Sequence, residues 1–117
     1  MFNERSQPRQ QLIYHLRMFD DATKQVAGYV SNISPEGVRL MTEEPIPLNS
    51  RFHFRLELPH LIEGKRVLEL VAINMWTHTS DRSHFYESGF RFESLSATER
   101  ECIARLMFDY GLGTGLH

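Results

Sequence analysis

One cysteine, Cys102, stands alone among 117 residues. No internal disulfide can form, and a redox pair or a cysteine-built zinc site is excluded. Long apolar runs are missing as well. The longest, Leu70 to Trp76, is broken by Asn74 and is far too short to span a bilayer. The opening residues, MFNERSQPRQQ, contain no apolar h-region. No secretory signal and no membrane insertion are therefore expected, and the cytoplasm is the expected compartment. Basic excess is absent: net charge is −2, which argues against a general DNA or RNA binder. The sequence has no Gly-rich phosphate loop, HExxH helix, CxxC pair or GxSxG elbow, so the commonest signatures of enzymatic chemistry are missing. No enzyme activity and no cofactor are expected.

What is present is an ordinary globular composition. Apolar residues make up 41% and charged residues 24%, enough to build one core without staples. The charge is uneven. Residues 1–17 carry Arg5, Arg9 and Arg17 against Glu4, while the rest of the chain is acidic. A small positive pole suits a small anion better than a long polyanion.

The dominant period is two. Residues 1–10 are polar and non-periodic and read as a flexible arm. From residue 11 onward, alternation predicts strands over Leu12–Phe19, Gln25–Ile33, Val38–Met41, Phe52–Leu58, Arg66–Thr79 and His84–Glu93. Ser34-Pro35-Glu36-Gly37 is a turn signal, and Pro59 is expected to end the fourth strand. The fifth strand is apolar on both faces, which suggests a helix packed on its outer side. At Ser96 the period changes. Ser96-Ala97-Thr98-Glu99 fits a capping box. Ile103, Leu106, Met107 and Tyr110 then form one helical stripe, and Gly111 stops it. The expectation is an all-β fold: a six-stranded antiparallel β-barrel over 11–95, closed by a C-terminal α-helix over 96–111, in one domain.

The candidate chemistry is sparse. Cys102 lies beside Ile103 on the helix and reads as a packing residue. His15, His53, His60, His78, His84 and His117 show no metal-ligand spacing, so no metal site is expected. Two patterns stand out. Arg5-Ser6-Gln7-Pro8-Arg9 is an RxxxR in the non-periodic arm. A second RxxxR, Arg51 to Arg55, alternates with core phenylalanines and reads as a solvated strand face. Asn32-Ile33-Ser34-Pro35-Glu36-Gly37 is an NxSxxG. Asn and Ser here could simply bond their own backbone, with Gly37 as the turn glycine.

The order of these patterns is more specific than either alone. RxxxR, a hairpin's length of chain, NxSxxG and then the apolar Val38-Arg39-Leu40 resemble the PilZ domain family. Met75-Trp76, Gly89-Phe90-Arg91-Phe92 and the helix after Leu95-Ser96 resemble its later landmarks. Asn32 stands where Asp is commoner in the family. The resemblance implies a bacterial receptor for cyclic di-GMP. It implies that Arg5 and Arg9 clamp phosphates and one guanine, and that Asn32, Ser34 and Gly37 hold the other, with Arg39 as a further candidate. Arginine is bidentate to phosphate and matches the O6/N7 edge of guanine. The implied partner is an unidentified effector protein that reads the arm once ligand orders it, in motility, exopolysaccharide or virulence control. A monomer or weak homodimer is expected. Two alternatives are a PilZ-like interaction module in pilus assembly that binds no ligand, and a small nucleic-acid-binding barrel.

Overall fold

The structure, a computed structural model, describes residues 16–80 and 84–113. Six strands and one helix follow in chain order: β1 (Arg17–Asp20), β2 (Gln25–Ser34), β3 (Gly37–Thr42), β4 (Arg51–Ile62), β5 (Lys65–Thr79), β6 (Tyr86–Phe92) and α1 (Ala97–Tyr110). The strands close into an antiparallel barrel in the order β1-β2-β3-β6-β5-β4. The expected fold class is what forms.

Alternation decides which side chains enter the barrel. Met18, Val30, Leu40, Phe54, Leu56, Leu68, Leu70 and Ala72 are almost fully buried. Phe52, Phe54 and Phe90 form an aromatic cluster, with ring centroids 5.1–5.7 Å apart. Edge-to-face contacts of this kind add to the stabilisation from burial itself. Two strand pairs slip register, between Val30 and Asn32 on β2 and between Asn74 and Trp76 on β5. The β2 slip lets Val30 and Ile33 both point inward and sends Asn32 to the outer face.

β4 runs through Pro59 to Ile62 instead of ending at Leu58. Its ladder with β5 is irregular between Glu57 and Ile62. Proline has no N–H to donate and is tolerated at such an irregularity. Beyond it, Glu63 and Gly64 both take positive φ and join β4 to β5 by a two-residue turn.

Ser96 caps α1. Its hydroxyl accepts from Glu99 N–H, and the Glu99 carboxylate accepts from Ser96 N–H. Such a cap is worth about 1 kcal/mol. At the other end Gly111 adopts the left-handed conformation, φ 65°, and donates to Met107 O. Cys102, Ile103 and Leu106 bury into the barrel's own core cluster. Cys102 Sγ donates to Ile62 O at 3.4 Å. Burial pushes the thiol's pKa up, as expected of a packing residue. The helix closes the barrel end where β2, β4 and β6 finish. The outer side of β5 is not its main seat: Val67, Val71 and Ile73 stay half-buried, and the strand α1 chiefly meets is β2. Among the described residues no helix is long and apolar enough to cross a membrane.

Candidate functional site

The hairpin β2–β3 brings the NxSxxG residues together. Its cross-strand partners are Asn32↔Arg39, Ile33↔Val38 and Ser34↔Gly37. Val38 and Leu40 point into the core. The period of two then puts Gly37 and Arg39 on the outside, opposite Ser34 and Asn32. Four residues singled out from the sequence thus form two adjacent pairs on one outer face. Arg5 and Arg9 lie outside the described residues.

Each member of the face also has a local structural job. Asn32 is 8% exposed. Its Oδ1 accepts from Ile33 N–H at 2.9 Å and from Gly113 N–H at 2.7 Å. The segment after α1 therefore lies against the side-chain oxygen that would meet a ligand. Ser34 Oγ accepts from Glu36 N–H at 3.2 Å and stabilises the Pro35-Glu36 turn. Gly37 closes the Ser34-Pro35-Glu36-Gly37 turn at its fourth position, as the sequence suggests. It begins β3, opposite Arg91 on β6, and a Cβ there would lie 2.1 Å from Phe90 O. Close approach of two backbones, and not turn geometry, is what excludes a side chain.

Arg39 is half-buried. Its carbonyl accepts from Ser31 Oγ at 3.1 Å, across the β2 register slip. Its Nε is buried and has no hydrogen-bond partner among the described residues. A buried donor without a partner costs roughly 1–3 kcal/mol.

Next to Arg39 the strands carry a residue that sequence reasoning noted only as a family landmark. Arg39 pairs with Gly89, and Gly89 pairs with Trp76. The row Arg39–Gly89–Trp76 crosses β3, β6 and β5, with the indole lying against Gly89. The Trp76 ring stacks on His78 at 4.8 Å and 29°. Glu36, Arg39, Met75, Trp76 and Arg91 border an open groove of about 210 Å³. That is smaller than a typical pocket for a drug-sized ligand, so the groove can hold one part of such a ligand. Strand alternation alone could not find this site. The slip at Asn74–Trp76 turns the indole outward, and fully buried Asn74 sits at it, donating through Nδ2 to both Trp76 O and Gly89 O.

The remaining candidates behave structurally. Arg51 makes a bidentate pair with Glu93, 3.0 Å for each bond. Hydrogen bonding from Arg51 holds the Glu93 carboxyl below its usual range. Arg55 lies on β4, opposite Glu69, away from the β2–β3 face. Among the described residues no three His, Cys, Asp or Glu side chains are placed to hold a metal ion.

The family model described as the PilZ domain matches residues 3–109 of the chain. No curated protein and no solved structure matches it.

Proposed function

Because the chain belongs to the PilZ domain family, whose members are ligand-binding and adaptor modules that include receptors for cyclic di-GMP, we propose that it binds cyclic di-GMP on the outer face of the β2–β3 hairpin. The observation that carries this reading is the pairing of Asn32 with Arg39 and of Ser34 with Gly37 on one face. Beside them the buried Arg39 Nε has no hydrogen-bond partner among the described residues.

In this reading Asn32 Oδ1 accepts from the N1–H and N2–H groups of one guanine. Ser34 offers its hydroxyl or backbone at the turn. Gly37 keeps the strand low enough for the base to approach. Arg5 and Arg9 clamp the phosphates and the second guanine. Arg39 supplies a further charge-assisted bond. Trp76 borders the groove beside it and offers a flat face to a ring. The two bonds that now occupy Asn32 Oδ1 set a condition. Both Ile33 N–H and Gly113 N–H must leave that oxygen before a base can use both lone pairs. Binding therefore shifts the segment after α1, and together with an ordered arm this gives an effector protein in the bacterial cytoplasm a new surface to read.

Calorimetric titration of the full chain with cyclic di-GMP tests the proposal. Saturable binding is expected, with affinity falling about ten- to hundredfold in Arg9→Ala, as for loss of a charged hydrogen-bonding partner. Absence of heat with wild type, in a folded sample, would support the ligand-free interaction module instead. Tighter binding to random single-stranded DNA at the same salt would support the nucleic-acid barrel.

A further inference from the structure

The other end of the barrel carries an open groove that the hairpin face does not use. The β2–β3 ladder begins only at Tyr29↔Met41, whereas β2 itself begins at Gln25. Gln25 and Val26 pair with β1 on one side, and residues 25–27 have no β3 partner on the other; Gly28 already packs against Met41 O and Thr42. After Thr42 the chain turns away, and Thr42 Oγ1 donates to Glu44 O at 2.9 Å. The result is a split between β2 and the loop after β3. Its cavity, about 460 Å³, is the larger of the two grooves described. Val26, Ile46 and Phe52 line it, and Val26 is 39% exposed. Asp20, Glu43 and Glu44 also line it, and among the described residues no Lys, Arg or His does. Lys24, close in sequence, is engaged by Asp21 at 2.9 Å.

We propose that this groove docks an extended basic segment of a partner protein, laid along the β2 edge at residues 25–27 with alternating cationic and apolar side chains. Three features select that occupant. Closing a barrel removes strand edges, so a short open one is a place where a strand can be added. An extended chain sends successive side chains to opposite sides, which suits a groove with apolar residues and carboxylates. The carboxylates do not converge: no three acidic or histidine groups among the described residues are placed around one point. A metal ion would need convergence, whereas a peptide with spaced cations does not. The absence of lining cations supplies the charge complementarity.

The test is selection of a random heptapeptide phage library on the full chain, followed by affinity measurement of the enriched synthetic peptides. Enriched sequences should combine Lys or Arg with apolar residues. Their affinity should drop at least about tenfold on Glu43→Arg/Glu44→Arg and, separately, on Val26→Asp. Both variants should keep the wild-type melting temperature and cyclic di-GMP affinity, because neither touches the hairpin face. Bound peptide should slow amide exchange at residues 25–27. Failure to enrich any peptide, enrichment without basic residues, binding indifferent to both variants, or protection mapped elsewhere would each overturn the proposal. None of these results bears on cyclic di-GMP, so the two readings fail separately.

Discussion

Gly37 shows how a residue can look like a ligand contact and still be fixed by packing. Its absent Cβ leaves room for Phe90 O at 2.1 Å, so Gly37→Ala must push β3 from β6. Overpacking of this kind costs about 1–3 kcal/mol. The expected outcome is a melting temperature lower by several degrees with or without nucleotide, measured by circular dichroism. An unchanged melting temperature with lost binding would mean that the glycine serves the ligand alone. The sequence places Gly37 in the right motif but cannot show which neighbour excludes its side chain, because β6 lies some fifty residues further on. Arginines need the same care. Arg51 and Arg55 form an RxxxR as good as Arg5 and Arg9 in spacing. Alternation with Phe52 and Phe54 marks them as strand residues, and the bidentate Arg51–Glu93 pair bears this out for Arg51. Arg55→Ala should accordingly bind cyclic di-GMP as wild type does, while Arg9→Ala should not; calorimetry on the two variants side by side checks this.

Local chemistry made most elements readable. Ser96 and Glu99 mark the start of α1 through hydrogen bonds that span three residues, and Gly111 marks its end. The period of two finds β2 to β6 because each strand has one face in the core. Three features escaped this reading, each for a long-range reason. Pro59 does not end β4, since the irregular ladder there asks for no N–H. The apolar outer side of β5 does not seat the helix, which instead fills the open end of the barrel. The slip at Asn74–Trp76, which turns Trp76 outward on the same side as Arg39, is bridged by a hydrogen bond from Asn74 to Gly89 on β6 that no local pattern encodes. The segment after α1 gives a prediction at this scale. Gly113 N–H holds Asn32 Oδ1 at 2.7 Å, and in the proposed complex a guanine displaces it. A chain ending at Leu112 keeps the Leu112 bond to Met107 but loses that competitor. Its affinity for cyclic di-GMP should rise by up to about tenfold, the worth of one ordinary hydrogen bond. Weaker binding would show that the segment helps to hold the ligand.

Across the whole molecule, the barrel sets two surfaces at opposite ends of the same two strands. β2 and β3 carry the open groove near Gln25–Gly28 and the NxSxxG face near Asn32–Gly37. The closed barrel between them keeps both in place. In the proposed complex few charges take part, so affinity should fall with salt much less steeply than for duplex DNA binders that make about six to ten phosphate contacts. The central claim is that this face reads guanine through Asn32. The measurement that tests it most directly is the ratio of cyclic di-GMP to cyclic di-AMP affinity, taken on wild type and on Asn32→Ala at one salt concentration. Adenine lacks the N1–H and 2-amino donors, which would leave the Asn32 oxygen unmatched at a cost of roughly 1–3 kcal/mol. The account predicts a preference of at least about tenfold for cyclic di-GMP in wild type, much reduced in Asn32→Ala. If Asn32→Ala lowers the melting temperature but leaves the ratio unchanged, Asn32 only braces Ile33 and Gly113, and the account is contradicted.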